Sequence, residues 1–351
     1  MSGESVAPTA QAGPPRHASR PGVGRGARSP RLSAIQDPVR KELEAVTDEL
    51  RRIVFADYDG IEDVNAHLLW ARGKLFRPTL LLLSNRLGAR PHPRAVTMAA
   101  LVELVHLATL VHDDAVDHSV LRRGMPTVNA LWNHQTAVIM GDYLYSRSIT
   151  ALAELGNVEL IRVLSRAANE MSVGELRQLA SFDALGFTEA DYDRLIASKT
   201  ASLMAAACEL GAVAGESAHR EPLAAYGHAL GMAFQIADDL LDYTGSQEVT
   251  GKPAGQDLRE HKVTLPLIAA LPRMAAGDRS DVEAFFADPA VSDAGITRVV
   301  ELVVGHGGLD YARSRADAYG RQAGEALARL PGGPYRDALA AAIEYVVERR
   351  R

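Results

Sequence analysis

The sequence predicts an all-α protein, a single helical domain of about ten or more helices. Three observations predict it. After an N-terminal stretch of different composition, apolar residues recur at three- and four-residue spacing along nearly the whole chain. Breaks containing Gly and Pro separate these runs at helix-length intervals. Sustained alternation of period two is absent, so no β-sheet is expected. With 351 residues, 47% of them hydrophobic, the chain can bury one large core or two modest ones.

Residues 1–32 are rich in Pro, Gly, Ser, Ala and Arg, with Glu4 the only acid. Such a segment buries too little apolar surface to offset its ordering entropy, and it reads as a disordered tail. An Arg-rich, acid-poor leader also fits a transit peptide, but no amphipathic face supports that. Residues 33–351 form the helical domain. Order begins at Asp37-Pro38, an N-cap followed by proline at the first helical position. Val39, Leu43, Val46, Leu50, Ile53 and Val54 then recur at helical spacing.

Further helices are expected at 61–71, 75–88, 92–117, 134–155, 157–184, 188–216 and 219–245. The remainder should fall at 262–275, 280–288, 292–305, 308–329 and 334–350. Gly88-Ala89-Arg90-Pro91, Gly124-Met125-Pro126, Gly305-His306-Gly307-Gly308 and Pro331-Gly332-Gly333-Pro334 are among the breaks. Ser280-Asp281-Val282-Glu283 has the spacing of a capping box.

Composition excludes several classes. A net charge of −6 offers no basic face for nucleic acid. The single Cys208 rules out an intramolecular disulfide framework and suits a reducing compartment. Cys208 itself reads as a small core residue. No uninterrupted apolar run approaches the roughly 18–20 residues that span a bilayer, and the start lacks the apolar core of a secretory signal. A cytoplasmic protein is expected, with at most peripheral membrane contact.

The chemistry concentrates in two acidic rows. Asp113, Asp114 and Asp117 close the apolar run through Leu101, Leu104, Val105 and Ala108. On a helix Asp113 and Asp117 share a face, with Asp114 beside them. Carboxylates so close repel unless a cation lies between them, and hard oxygen ligands suit Mg²⁺. Asp238, Asp239 and Asp242 repeat the arrangement after Leu230–Ala237. One such row is usually a solvated helix face. Two, each ending an apolar run, point to metal ions holding a diphosphate across a cavity.

Cations stand where a diphosphate would need them. Lys74 and Arg77 lie near a helix start, a favourable place for phosphate. Arg122 and Arg123 follow the first acidic row, placed for a salt-bridge network or a bidentate phosphate clamp. His106 lies seven positions before Asp113 on the same face. Lys199-Thr200 interrupts an apolar run with a cation and a hydroxyl, and Lys252 and Lys262 flank Gln256–Arg259. Each alone is an ordinary surface or core residue. Their combination with two acidic rows is not.

From about residue 40 to 350 the chain resembles the trans-isoprenyl diphosphate synthases, the head-to-tail prenyltransferases. Val102 to Asp117 is similar to the family's first aspartate-rich motif, Arg122-Arg123-Gly124 to its basic tail, and Gly141-Asp142-Tyr143 to its next landmark. Phe234-Gln235 with Asp238, Asp239 and Asp242 resembles the second motif. Gly251-Lys252 through Asp257 and Lys262–Leu267 resemble its sequel.

The resemblance implies that the six aspartates hold Mg²⁺ against an allylic diphosphate. It implies an allylic site lined by Arg122, Lys199, Thr200, Phe234, Gln235, Lys252 and Lys262, with Arg122, Lys199, Thr200 and Gln235 taking the catalytic part. Lys74, Arg77, His106 and Arg123 would grip isopentenyl diphosphate. A helical bundle of the isoprenoid-synthase type around a deep apolar cavity, assembled as a homodimer, is also implied.

Two positions depart from the pattern: Arg72 and His261 stand where the family commonly has glycine. Glycine at the second would ease a positive φ, and histidine tolerates that region better than β-branched residues.

The implied reaction is ionisation of the allylic C–O bond, attack by the isopentenyl double bond, and proton loss to the released diphosphate. Ala108 and Thr109, small residues below Asp113, resemble those of long-chain enzymes that make quinone side-chain precursors. The alternatives are a short-chain geranylgeranyl or farnesyl diphosphate synthase and a non-catalytic or heteromeric subunit. A terpene cyclase needs only one diphosphate site, which Lys74, Arg77, His106 and Arg123 argue against.

Overall fold

A computed structural model describes residues 30–70, 73–88, 91–122, 124–180, 185–214, 217–244 and 255–348. Helices dominate. The first is α1 (Leu32–Gln36), followed by α2 (Arg40–Val54), α3 (Asp59–Trp70), α4 (Phe76–Arg86) and α5 (Ala95–Val116). Next come α6 (Val128–Leu131), α7 (His134–Glu154), α8 (Val158–Ala180) and α9 (Glu189–Ile196). They are followed by α10 (Ser202–Ala214) and α11 (Arg220–Thr244). Shorter helices then lead to the long pair Gly308–Ala328 and Pro334–Glu348.

The innermost helices are those whose sequences are apolar nearly all round. Every residue from Pro78 to Asn85 on α4 is buried, and α5 buries most of its length. Both pack on α10, and α10 packs on α11. Outer helices carry a single apolar stripe. On α2, Leu43, Val46, Leu50 and Ile53 face inward while Arg51 and Arg52 are exposed.

Two core clusters result, and α11 belongs to both. Its first half gives Leu223, Tyr226 and Leu230 to the larger cluster. Its second half gives Met232, Ile236, Leu240 and Tyr243 to the smaller one, which the helix Gly308–Ala328 closes. The two acidic rows emerge where these clusters meet.

Helix α5 is long and apolar enough to cross a membrane, but 67% of its apolar window is buried. It is a core helix carrying the first acidic row.

Four expectations are corrected. The first helix begins at Leu32, burying Ile35, so Leu32 does not belong to the tail; Asp37–Val39 is a 3-10 turn inside the ordered chain. The rest of the expected tail, residues 1–29, lies outside the described residues. Ser280–Glu283 sits within the helix Ala276–Ala287 and caps nothing; the observed capping box is Thr188 with Asp191.

The single helix expected over 188–216 is three pieces, with a π-turn at Ala197–Ala201 between α9 and α10. Finally, strands β1 (Leu121–Arg122) and β2 (Met125–Pro126) pair antiparallel. Gly124, at φ +77°, makes their turn. Two residues per strand are too few to show alternation.

Candidate active site

Both acidic rows occupy helix C-termini. Asp113 and Asp114 lie in the last turn of α5 and Asp117 is its C-cap. Asp238, Asp239 and Asp242 lie in the last turns of α11, which ends at Thr244. Helix dipoles place negative potential there, and the last carbonyls lack intrahelical partners. Carboxylates at such ends require cations or hydrogen-bond donors, and the structure shows which groups supply them.

Basic side chains serve the first row. Arg122 donates its Nε–H to both oxygens of Asp114, at 2.9 and 2.8 Å, and Asp114 is only 7% exposed. Asp114 is thus committed to Arg122 and does not share a face with Asp113 and Asp117 as a third open ligand. Lys199 pairs with Asp113 at 3.9 Å and with Glu175 at 2.6 Å, and donates to Gln178 at 3.2 Å. Lys262 pairs with Asp117 at 3.6 Å and with Glu260 at 2.6 Å.

Neutral donors serve the second row. Asp239, 4% exposed, accepts the Tyr192 hydroxyl at 2.6 Å and the Gln235 amide at 2.8 Å. Asp242 accepts the backbone N–H groups of Gln256 and Asp257, both at 3.0 Å. Asp238 is exposed.

The rows face one another, and the π-turn shows how. Lys199 reaches Asp113 in the first row. Its neighbour Thr200 donates to Gln235 at 2.7 Å, and Gln235 reaches Asp239 in the second. Consecutive residues therefore address opposite acidic rows. A π-turn inserts one residue into the helical repeat and re-aims the side chains that follow.

Two glycines make room for it. A Cβ on Gly231 of α11 would lie 2.5 Å from Ala201 Cα, and one on Gly174 of α8 would lie 2.9 Å from Ser198 Cβ. Lys262 supplies a second link: its ammonium pairs with Asp117, its backbone N–H donates to the Asp257 carbonyl at 2.8 Å, and the Asp257 N–H donates to Asp242. His261 holds φ +51°, the positive value anticipated where the related pattern has glycine.

Burial and mutual repulsion shift the acids. Burial, then Glu175 and Asp117 against the pull of Lys199 and Arg122, raises Asp113 to about 6. Burial, with Asp238 and Asp242 alongside, raises Asp239 to about 7 even though Tyr192 and Gln235 favour its charge. Asp257 is pushed well above the usual carboxylate range by burial and by Asp239 and Asp242. Burial opposes the charge on Lys262, but Glu260, Asp117 and Asp257 together hold its ammonium above the ordinary value. Crowded, partly desolvated carboxylates that repel one another favour a divalent cation between them over leaving the charges uncompensated.

The other expected residues assemble around this centre. Lys74 is exposed and Arg77 half-buried at the start of α4, where Leu75 is the N-cap at φ +51°. The ring of Phe76 stacks on Phe234, centroids 5.9 Å apart, which sets the Lys74–Arg77 segment against the helix carrying Gln235. His106 is half-buried two turns before Asp113, and its carbonyl accepts the Thr109 hydroxyl at 2.8 Å. Ala108 is buried. Arg72, Arg123 and Lys252 lie outside the described residues.

Sequence reasoning did not single out Tyr192, Glu175, Gln178 or Glu260, and named Asp257 only as the end of a motif. Asp257 and Glu260 had a signal, adjacency to Lys262. Tyr192, Glu175 and Gln178 had none beyond being polar groups on helices.

The donor set suits a hard divalent ion, being oxygen only, clustered and electrostatically stressed. Among the described residues no three acidic, His or Cys side chains are yet gathered tightly enough to close on a metal. Lysines and an arginine hold the first-row carboxylates instead.

Comparison with known proteins gives a consistent result. A family model described as polyprenyl synthetase matches residues 59–303. Heptaprenyl diphosphate synthase component 2 of Geobacillus stearothermophilus is 42% identical over 69% of the chain and 76% of that protein. The all-trans-nonaprenyl-diphosphate synthase (geranyl-diphosphate specific) of Rhodobacter capsulatus is 38% identical over 87% of the chain and 94% of its own length. Among solved structures, the polyprenyl synthase from Caulobacter crescentus CB15, complexed with calcium and isoprenyl diphosphate, superposes with a TM-score of 0.87 at 35% identity. That match covers 93% of this chain and all of the other.

Proposed function

The chain belongs to the polyprenyl synthetase family and is a prenyltransferase, and from that premise we propose that it is an all-trans polyprenyl diphosphate synthase with a long-chain product. It condenses isopentenyl diphosphate head to tail onto an allylic diphosphate. The observation that supports this is the adjacency of Lys199, which reaches Asp113, and Thr200, which is linked to Asp239 through Gln235.

In this reading Asp113, Asp117 and Asp238 hold Mg²⁺, with Asp114, Asp239 and Asp242 fixing the surrounding geometry. Bound Mg²⁺ supplies the electrophilic pull on the diphosphate leaving group. Lys199, Arg122 and Lys262, with Lys252, donate to phosphate oxygens and stabilise the charge that develops as the allylic C–O bond breaks. Thr200 and Gln235 add neutral donors. Lys74, Arg77, His106 and Arg123 hold isopentenyl diphosphate so that its double bond meets the carbocation. The released diphosphate takes the proton. Buried α4 and α5 keep water from the cation.

Length is set below the first row. Ala108 and Thr109 are small, so in this reading the growing chain passes between the helices below Asp113; Ala108→Tyr shortens the product, as chromatography of dephosphorylated products will show. The direct test combines purified protein, Mg²⁺, labelled isopentenyl diphosphate and several allylic primers. A product no longer than geranylgeranyl diphosphate refutes the long-chain assignment, and unaltered turnover in chelator refutes the metal.

The relative named component 2 favours a second reading, in which the chain needs another polypeptide. Turnover by the purified chain alone excludes that. We also assign a homodimer, for which exposed Trp132 and Ile139 offer an apolar face, and a cytoplasmic location, which the reduced Cys208 suits.

A further inference from the structure

One buried hydroxyl at this site has no part in the proposed reaction. Tyr192 lies on α9, is 2% exposed and belongs to the smaller core cluster. A buried phenol needs a hydrogen-bond partner, and Tyr192 has Asp239 Oδ2 at 2.6 Å. The other oxygen, Oδ1, accepts Gln235 Nε2, and Gln235 Oε1 accepts the Thr200 hydroxyl. Four side chains thus run from α9 through α11 to the π-turn, each oxygen of the carboxylate and amide occupied. Networks satisfied in this way fix a geometry more firmly than their separate bonds.

Helix α9 is itself anchored. Its capping box is Thr188 with Asp191. On its outer side Glu189 accepts the Tyr311 hydroxyl at 2.8 Å, and Arg315 pairs with Asp193 at 2.7 Å and Glu189 at 3.3 Å. Tyr311 and Arg315 both belong to the helix Gly308–Ala328. Tyr192 is therefore presented from a fixed support, as preorganised sites require.

We propose that Tyr192 is a positioning residue, whose hydroxyl pins the Asp239 carboxylate and through Gln235 and Thr200 sets the second acidic row opposite Asp113. The inference rests on the prenyl transfer proposed above. Without the phenol, Oδ2 of Asp239 is buried without that donor and the carboxylate rotates toward the neighbouring acids and cations. Metal capture and ionisation then suffer, while the isopentenyl site at Lys74 and Arg77 does not.

The test compares Tyr192→Phe with Tyr226→Phe in the full chain. Tyr226 is equally buried, on α11, and its hydroxyl donates to the Leu339 carbonyl at 2.9 Å, outside the acidic centre. Steady-state rates with geranyl diphosphate, isopentenyl diphosphate and Mg²⁺ are measured beside melting temperature. For Tyr192→Phe the expected result is a kcat lower by about ten-fold and a raised half-saturating Mg²⁺, with KM for isopentenyl diphosphate unchanged. Tyr226→Phe should lower the melting temperature and leave all three constants alone. Wild-type kinetics in Tyr192→Phe, or failure of that variant to fold, overturns the inference, because Tyr192 is then only a core tie. An inactive wild type overturns instead the reading on which it rests.

Discussion

The two acidic rows share a sequence pattern, but the described partners of their buried members differ in kind. Cations hold the first: Arg122 on Asp114, Lys199 on Asp113 and Lys262 on Asp117. Tyr192, Gln235 and two backbone amides hold the second. Ion pairs at 3.6 and 3.9 Å on half-exposed lysines are worth little and exchange readily. The 2.6 Å bond from the buried Tyr192 hydroxyl to Asp239 does not. Within the first row only the contacts of Lys199 and Lys262 are loose; Arg122 holds Asp114 as closely as Tyr192 and Gln235 hold Asp239, whose side forms a fixed wall.

The largest expected effect tests the first row. Asp113→Ala removes a central oxygen donor and should lower kcat by about 10³-fold, the scale of several kcal/mol of lost leaving-group stabilisation. Melting should be unharmed or improved, because the charge removed is one the fold already disfavours. A large loss of stability would break the comparison.

Lys199→Ala should come next, with kcat/KM for the allylic substrate down by about 10²-fold, as for loss of one charged donor to a developing anion. A KM effect confined to isopentenyl diphosphate would mean that Lys199 serves the other site.

Acidity gives a third test. Asp113 and Asp239 release protons at about 6 and about 7 when folded, against 3.8 when unfolded. Across that window the folded chain binds more protons than the unfolded one. Stability is therefore fully present below about pH 4 and is lost as pH rises through 6 to 7. The metal-free chain should melt lower at pH 8 than at pH 5, and Mg²⁺ with diphosphate should restore more at pH 8. A flat profile without metal would remove the electrostatic stress from the account.

The smallest effect belongs to the wall. Asp242→Asn weakens the acceptor for Gln256 and Asp257 and should cost about 1 kcal/mol in a denaturant titration, with a modest change in rate. A loss of rate as large as that of Asp113→Ala would show that the rows are equivalent after all.

Much of this was legible in the sequence. The rows were marked by carboxylates ending apolar runs, and Lys199-Thr200 by polar residues interrupting one. The positive φ of His261 followed from the glycine it replaces. What could not be read was partnership. Nothing local ties Tyr192 to Asp239, 47 positions away, or Lys199 to Gln178, 21 away. Periodicity showed Asp114 as a neighbour of Asp113 on the helix but not its turn toward Arg122, which depends on a hairpin too short to leave a pattern. The π-turn is also silent, because one extra residue within a long apolar stretch keeps every residue plausible for a regular helix.

That surplus residue makes the segment Ala197–Ala201 a register lock. Deleting one position there would remove the residue that distinguishes the π-turn from an uninterrupted α-helix. Side chains on one flank would then turn by roughly 100° relative to those on the other. Lys199 and Thr200 could no longer address both walls at once. A one-residue deletion within these five positions should therefore cost catalysis more than its effect on melting would suggest.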